Sequence, residues 1–248
     1  MELTYMGHSG MMIRGQKSLF LMDYYLDENG EGNTENHGVV GEHTLAFEGR
    51  LYVLISHSHR DHFNPVVLGY CEKRGDIVYI ASPDVAPKVP KNFSGDITYL
   101  APGELYEDEQ VNIHAFGSTD LGISFYVEAF EDEGTKTFFH AGDLNDWHWK
   151  EEVPPEEALG YTQAYIKELE EMRRHLYQLD LLMFPLDPRL GKDCGDGLLR
   201  FLKLFEVPLF APMHFGDAYG VQKDFLQTHA LGETRMICWE RRGQTERF

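Results

Sequence analysis

Basic residues are few in this sequence, with 22 lysines and arginines against 41 aspartates and glutamates and a formal net charge of −19. A chain this acidic repels phosphate backbones and anionic lipid headgroups, so we expect neither nucleic acid nor a membrane surface as a partner. No apolar stretch approaches the length that spans a bilayer. Polar residues interrupt the first ten positions, so we also expect no targeting segment.

Cysteine is also scarce, and familiar catalytic patterns are missing. The three cysteines, Cys71, Cys194 and Cys238, are far apart in the sequence. Their spacing gives neither a disulfide framework nor a zinc knuckle, and it favours reduced thiols in a cytoplasmic protein. There is no Gly-x-Ser-x-Gly turn for a serine nucleophile and no glycine-rich phosphate loop for a nucleotide.

Short apolar runs are present throughout, and they predict many strands. The predicted strands cover residues 3–6, 11–14, 19–23, 51–55, 77–81, 111–116, 123–129, 137–140, 181–184, 208–211 and 236–239. The predicted helices cover residues 63–71, 156–178, 197–205 and 221–231, and Asp196 is predicted to cap the third. Residues 27–44 are polar and glycine-rich and predict a long exposed loop.

The order of these elements indicates the fold class. The first half is mostly strands, whereas strand and helix alternate in the second half. This order suits a layered α/β domain with two central sheets and helices outside. Because we find no linker, low-complexity tract or repeat, we predict a single domain over residues 1–248.

A histidine cluster directly follows the apolar run at 51–55. Residues 56–62 are Ser-His-Ser-His-Arg-Asp-His. His57 and His59 are two positions apart, so they project the same way from an extended segment. Imidazole and carboxylate groups together bind Zn²⁺ well, and Asp61 and His62 lie on the following turn, where they can face a second ion. The segment predicts a metal site, the alternative being a histidine-rich loop without metal.

The pattern His-x-His-x-Asp-His after an apolar strand resembles the signature of the metallo-β-lactamase superfamily. Three further residues match in order: Asp23 after the third strand, Asp143 in Phe-His-Ala-Gly-Asp-Leu, and His214 in Pro-Met-His-Phe-Gly-Asp. His8 in Gly-His-Ser, and His140, make the chain similar to the metal-dependent hydrolase branch related to ascorbate-6-phosphate lactonase. The resemblance covers nearly the whole chain and implies a four-layer αββα sandwich.

The resemblance also implies a role for each matching residue. Asp23 would support the histidine loop, Asp143 would bridge two ions, and Asp61 and Asp143 would orient the nucleophile or accept its proton. Zn²⁺ is the expected ion, one or two per chain, with Mn²⁺ or iron as alternatives. The implied ligands are His57, His59, Asp61, His62, Asp143 and His214.

One position departs from the family pattern. Ser118, in Phe-Gly-Ser-Thr-Asp-Leu-Gly, stands where the family has a histidine. A neutral hydroxyl is a poor Zn²⁺ ligand, and the missing histidine would serve the ion held by His57 and His59. Three alternatives follow: one ion, two ions with a substitute ligand such as His140 or His8, or two ions with water or substrate in the gap.

Two later loops carry candidate substrate contacts. Trp147, His148 and Trp149 follow the predicted bridging aspartate, where aromatic rings either stack on a substrate or pack the fold. Asp187 is a candidate to orient a histidine ligand. Arg189 is a candidate to bind a carboxylate or phosphate, the alternative being a salt bridge to the acidic surface.

The sequence therefore predicts a metal-dependent hydrolase in which activated water attacks a small ester, lactone or phosphorylated substrate. A phosphodiesterase on the same fold is the alternative substrate class. A degenerate member that binds a ligand or metal without turnover is the alternative outside enzymes. A small molecule is the expected partner, and a homo-oligomer is an open alternative.

Overall fold

Two seven-stranded β-sheets form the centre of the computed structural model, which describes residues 1–28, 34–176 and 179–248. The first sheet contains β1 (Glu2–Gly7), β2 (Gly10–Arg14), β3 (Ser18–Met22), β4 (Arg50–Ile55), β5 (Val78–Ala81), β6 (Ile97–Tyr99) and β14 (Thr245–Arg247). The second contains β7 (Leu105–Glu107), β8 (Val111–Phe116), β9 (Ser124–Glu131), β10 (Gly134–His140), β11 (Leu181–Pro185), β12 (Leu209–Met213) and β13 (Arg235–Met236). Their spatial orders are β14-β1-β2-β3-β4-β5-β6 and β13-β12-β11-β10-β9-β8-β7.

The main core lies between the sheets, because alternate residues of each strand point inward. In β4, Tyr52 and Leu54 belong to the core that includes the second sheet. Phe20 of β3 meets Phe138 of β10 edge-on, with ring centroids 5.0 Å apart. The outward residues of β4 join a second apolar cluster on the outer face of the first sheet: Leu51, Val53 and Ile55.

Helices cover both outer faces. The second sheet is covered by α2 (Pro155–Met172), α3 (Asp196–Leu202) and α4 (Gly220–Thr228). Tyr165 of α2 and Phe201 of α3 both pack against Phe184 of β11, at centroid distances of 6.3 and 5.7 Å. The short α1 (Glu42–Leu45) and 3₁₀ segments at Pro65–Glu72 and Pro83–Lys88 lie beside the first sheet. The predicted α/β sandwich of two sheets between outer helices is confirmed.

The predicted helix at 63–71 is wrong in type, because residues Pro65–Glu72 form a 3₁₀ helix. Two β-branched valines follow Pro65 and a glycine follows soon after, and both residue types disfavour a continuous α-helix. Asp196 is the first residue of α3 rather than its cap, a position held by Gly195. That helix ends at Leu202, before the predicted end at residue 205.

Other predicted boundaries also differ from those in the structure. The α2 helix ends at Met172, short of the predicted end at 178, and residues 177–178 lie outside the described part. The predicted strand at 236–239 is only the pair Arg235–Met236. The predicted loop at 27–44 contains a 3₁₀ turn at Glu35–His37 and the start of α1; its residues 29–33 lie outside the description. The short strands β6, β7 and β14 were missed because three residues give too little alternation to detect.

Within the described ranges, no helix combines the length and apolarity that crossing a bilayer requires.

The parallel strands position the site. β3, β4 and β5 run parallel in the first sheet, and β10, β11 and β12 run parallel in the second. The carboxyl ends of parallel strands meet at one edge of a sheet, which is where ligands bind in layered α/β folds. The residues that directly follow β3, β4, β10, β11 and β12 include Asp23, His57, Asp143, Asp187 and His214.

Candidate metal centre

Three residues at this edge hold a left-handed backbone without being glycine. The φ angles are +53° at His8, +44° at Asp23 and +65° at His214. Such conformations cost free energy and persist only where surrounding contacts hold them, and they concentrate at functional sites. His214 N–H donates to the His8 carbonyl at 3.1 Å, which ties the β1–β2 turn to the loop after β12.

Asp23 is fully buried and accepts hydrogen bonds from the loop that carries the histidine motif. Its carboxylate accepts hydrogen bonds from Ser56 N at 2.7 Å, Ser56 Oγ at 2.6 Å and His62 Nδ1 at 2.7 Å. Burial raises the pKa of Asp23, but the nearby His140, His62 and His57 lower it by more. The net pKa lies below its ordinary value, so the carboxylate stays ionised. With Nδ1–H donated to Asp23, the Nε2 lone pair of His62 points away, toward Asp143.

Asp23 also orients the His57 ring, through Ser56. Because its hydroxyl donates to Asp23, Ser56 Oγ accepts from His57 Nδ1, 2.9 Å away. This chain of hydrogen bonds leaves Nε2 as the acceptor nitrogen of His57, with His59 Nδ1 3.0 Å away. The sequence analysis did not identify Ser56 as a site residue, although Ser56 stands directly before the first histidine of the motif.

His214 is oriented in a similar way on the opposite side. Its Nδ1 donates to Asp187 Oδ2 at 2.9 Å. Asp187 also accepts from the Arg189 backbone N–H at 2.8 Å and from Arg189 Nε at 3.0 Å. Burial raises the pKa of Asp187, but His214 and Arg189 lower it to about 2. The predicted orienting residue therefore contacts a predicted ligand.

Asp143 lies between the histidines. Its Oδ1 is 3.0 Å from His62 Nε2 and 3.1 Å from His214 Nε2, and its Oδ2 is 3.3 Å from His57 Nε2. The two carboxylate oxygens thus point to two different groups of potential ligands, which divide as His57–His59–Asp143 and His8–Asp61–His62–His214.

The buried atoms at this centre fit a bound cation. His62 Nε2, His214 Nε2 and Asp143 Oδ1 are buried and have no hydrogen-bond partner. Three lone pairs converging at about 3 Å repel one another unless a positive charge lies between them, and imidazole with carboxylate is a usual donor set for Zn²⁺. The residues present therefore fit a divalent metal ion.

Without a cation, protons take its place. Burial lowers the pKa of His62, but the carboxylates of Asp143 and Asp23 outweigh it and raise the pKa to about 10. Burial likewise lowers the pKa of His214, and Asp143 and Asp187 raise it to about 9. A metal ion must displace these protons to bind.

His8 approaches the centre as a donor. Its Nδ1 accepts from Gly216 N–H at 3.2 Å, so the neutral ring carries its proton on Nε2. That nitrogen lies 3.4 Å from Asp61 Oδ2. Burial lowers the pKa of His8 despite the neighbouring Asp61, which favours this neutral form.

The predicted alternatives for the missing histidine have different surroundings. His140 is buried, donates from Nε2 to the Ser9 carbonyl at 2.9 Å and accepts from Gly142 N at Nδ1, 3.2 Å away. Both of its nitrogens are therefore occupied within the protein, and its Nδ1 lies 3.8 Å from Asp23 Oδ2 without a proton to donate. Ser118 Oγ accepts from Asp120 N at 3.3 Å.

Comparison with known proteins identifies the architecture. No family model matches the sequence. A UPF0173 metal-dependent hydrolase from Methylobacterium nodulans is 24% identical over 229 residues, which are 88% of this chain and 86% of that protein. Igni18, a metallo hydrolase from Ignicoccus hospitalis KIN4/I, matches with a TM-score of 0.64 and 17% identity over 100% of this chain and 98% of its own. The metallo-β-lactamase fold protein YhfI from Bacillus subtilis matches with a TM-score of 0.55 and 11% identity over 99% of both chains. The chain has the metallo-β-lactamase fold.

The predicted fold is thereby confirmed, and membership of the superfamily stays a prediction. The finer resemblance to the ascorbate-6-phosphate lactonase branch stays a prediction.

In this metallo-β-lactamase fold, a cavity opens beside the candidate metal centre. It has a volume of about 260 Å³, and Asp143 and Asp120 lie on its wall. Trp147 and Trp149 stack at a centroid distance of 5.8 Å, and the Arg189 guanidinium lies 6.0 and 5.7 Å from their rings. The remaining lining residues are Thr119 and Tyr161. Sequence reasoning found the two tryptophans and Arg189 but missed Tyr161 and Asp120.

His148 has a different environment from its neighbours. It is buried and does not line this cavity. Its Nε2 lies 3.3 Å from the Asp193 carbonyl, and its Nδ1 accepts from Lys150 N at 3.2 Å. His148, Asp193 and Asp196 form a third cluster of potential ligands, but Lys150 Nζ already pairs with both aspartates, at 3.3 and 2.7 Å. These contacts favour a packing role for His148.

Proposed function

We propose that this protein is a metal-dependent hydrolase. The observation that carries the proposal is the convergence of three imidazole nitrogens, from His57, His62 and His214, on the two oxygens of Asp143. These residues would hold divalent ions, which would lower the pKa of bound water toward neutrality and so make a nucleophile available. The names of the Methylobacterium relative and of Igni18 support the same reaction class.

The metal we propose is Zn²⁺, bound as two ions that share Asp143. Four histidines supply most of the donors, and such a set suits zinc, with manganese or iron as alternatives. His57 and His59 would hold one ion, and Asp61, His62 and His214 the other. The hydrogen bonds from His62 to Asp23 and from His214 to Asp187 fix which ring nitrogen faces the ion.

Asp61 and His8 are the proposed proton-handling residues. The Asp61 side chain is 46% exposed and lies at the mouth of the centre, so it can orient water and accept its proton. Nearby residues, His8 first among them, lower the pKa of Asp61 and keep its carboxylate ionised, although burial opposes them. A lowered pKa makes Asp61 a weaker base, which favours orienting the water over removing its proton. The His8 Nε2–H donor is aimed at the same place and would stabilise negative charge on the substrate oxygen. Asp143 would act mainly by holding both ligand groups together.

The cavity favours a small substrate with a planar or apolar portion. Its volume of about 260 Å³ is below the range of about 300–1,000 Å³ typical of drug-sized ligands. The stacked rings of Trp147 and Trp149 offer an aromatic surface. Arg189 already donates to Asp187, so much of its charge is neutralised. We therefore favour an uncharged ester or lactone over a phosphorylated substrate or a phosphodiester.

Metal analysis tests the proposal directly. We expect plasma emission spectroscopy of protein purified without added metal to find close to two ions per chain. Chelation should abolish hydrolysis of a panel of lactones, carboxylic esters, phosphomonoesters and bis(p-nitrophenyl) phosphate, and Zn²⁺ should restore it. Restored activity on the diester alone would favour the phosphodiesterase alternative. A chain that takes up metal but hydrolyses nothing in the panel would favour a binding protein, and a chain that takes up no metal would refute the proposal.

Removing one aromatic wall should weaken substrate binding more than turnover. We expect Trp149→Ala to raise KM about tenfold with kcat changed less than threefold, since a stacked aromatic contact contributes about 0.5–1.5 kcal/mol beyond its buried area. Steady-state kinetics on the best panel substrate measure this. Tyr161→Phe is the matched control, because it keeps the ring and removes only the hydroxyl that bonds Glu157. An unchanged KM in Trp149→Ala would exclude this ring from the substrate site.

We also propose that residues 1–248 act as one hydrolase domain in the cytoplasm. All three cysteines are free, which is compatible with a reducing compartment. Assembly into a homo-oligomer stays a prediction.

A further inference from the structure

We propose that Asp120, and not Ser118, supplies the ligand that this chain lacks at the family's histidine position. This inference rests on the proposed function, because it concerns the ion held by His57, His59 and Asp143. That group offers three ligand atoms within 4.8 Å of one another, whereas the neighbouring group offers four. A protein site for Zn²⁺ commonly uses three or four side-chain donors, so a fourth donor decides whether the ion is held tightly.

The position of Asp120 follows from the strand directions. β8 runs antiparallel to β9, and β9 runs antiparallel to β10, so β8 and β10 end at the same edge. Asp143 lies just after β10, and Asp120 lies just after β8. Asp120 Oδ2 is 3.8 Å from His59 Nδ1, and that nitrogen is 3.0 Å from His57 Nε2. The carboxylate therefore approaches the same open side of the centre as His59.

The loop that carries Asp120 is fixed against both neighbouring metal loops. Ile123 N–H donates to the Ser56 carbonyl at 3.0 Å, and Gly122 approaches so closely that a Cβ there would lie 2.1 Å from that carbonyl oxygen. On the other side, Thr119 Oγ1 donates to the Asn145 carbonyl at 2.6 Å. Asp120 thus lies on a short segment anchored to the histidine loop and to the loop after Asp143.

The side chains of Ser118 and Asp120 differ in what they can still contact. Ser118 Oγ accepts from Asp120 N, and a neutral hydroxyl is a weak metal ligand. The Asp120 side chain is 54% exposed and lines the substrate cavity. Rotation of an exposed aspartate is easy, and a carboxylate oxygen is a good ligand for zinc, manganese or iron. A carboxylate here would also make this ion's ligand set more negative than an imidazole would.

Titration of the chelator-stripped chain with Zn²⁺ against a chromophoric competitor tests the inference. We expect wild type to bind two ions. Asp120→Ala should leave one unchanged and weaken the other at least about tenfold, the smallest loss typical even for residues that only support a ligand. Asp120→Asn should weaken the same ion, and it covers the case in which the alanine variant fails to fold. Ser118→Ala is the matched control and should titrate like wild type.

The opposite results are equally specific. Asp120 variants that titrate like wild type, or a weakened ion in Ser118→Ala, would overturn the assignment of Asp120. The wild-type chain could instead bind a single ion that is lost in His214→Ala and kept in Asp120→Ala. That result would also overturn the assignment of Asp120, but it would leave the proposed metal-dependent hydrolase standing. Failure of wild type to bind any Zn²⁺ would overturn both the assignment and the proposed function.

Discussion

Asparagine in place of Asp143 is expected to remove bound metal and hydrolytic activity together. Asp143 is the residue whose two oxygens approach both ligand groups, at 3.0–3.3 Å from three histidine nitrogens. An amide keeps the shape but loses the negative charge that balances the ions. Because a bound metal contributes several kcal/mol to transition-state stabilisation, kcat/KM should fall by about 10³-fold or more. Plasma emission spectroscopy and initial rates on the best panel substrate measure the two losses.

Asp146→Asn is the control for this experiment. Asp146 follows in the same loop, is equally buried, and pairs with Arg200 and Thr162 rather than with the metal ligands. Its variant should lose stability but keep its metal. Normal metal content and rate in Asp143→Asn would mean that Asp143 does not join the two groups.

The second large effect is expected at Asp23, on stability as well as on metal binding. Asp23→Ala removes a buried carboxylate that accepts from Ser56 N, Ser56 Oγ and His62 Nδ1. Breaking a buried pair by removing one partner typically costs about 3–5 kcal/mol, because the remaining polar groups stay buried without partners. The free energy of unfolding in urea, measured on chelator-treated protein, should fall by about that amount.

Metal affinity should respond as well. Loss of a residue that orients a ligand typically weakens metal binding about 10–100-fold, and Asp23 orients His62 directly and His57 through Ser56. Asp23→Asn keeps an acceptor for Ser56 N–H, so its unfolding free energy should lie between those of Asp23→Ala and wild type. If Asp23→Ala unfolds within about 1 kcal/mol of wild type, the buried carboxylate does not have this supporting role.

The sequence predicted the centre better than its surroundings. The histidine motif, Asp143 and His214 come from separate parts of the chain, yet their order alone indicated one site, and the structure brings them together. The cavity residue Tyr161 was missed, because no local pattern distinguishes a ring that lines a cavity from one that packs a core. Asp120 lies in the same segment as Ser118, and only its 3.8 Å approach to His59 indicated a ligand.

The fold was likewise predicted only in part from the sequence. Long apolar runs predicted the central strands, because burial on both faces needs many apolar residues in a row. The edge strand β14 carries no such signal; its place is set by backbone pairing with β1 at the other end of the chain, as in the register of Leu3 with Glu246. The 3₁₀ segment Pro65–Glu72 contributes Val67, Leu68 and Tyr70 to the apolar cluster on the outer face of the first sheet.

By itself, the sequence determined the fold class and the group of residues around the metal centre, because strand periodicity and ligand chemistry are local properties that spacing records. The tertiary structure alone decided which nitrogen of each histidine faces the centre, through Asp23, Ser56 and Asp187. It also decided that His140 has no free nitrogen and that Asp120 lies beside His59. These are contacts between residues far apart in the chain, and their distances depend on how two sheets and their loops pack together.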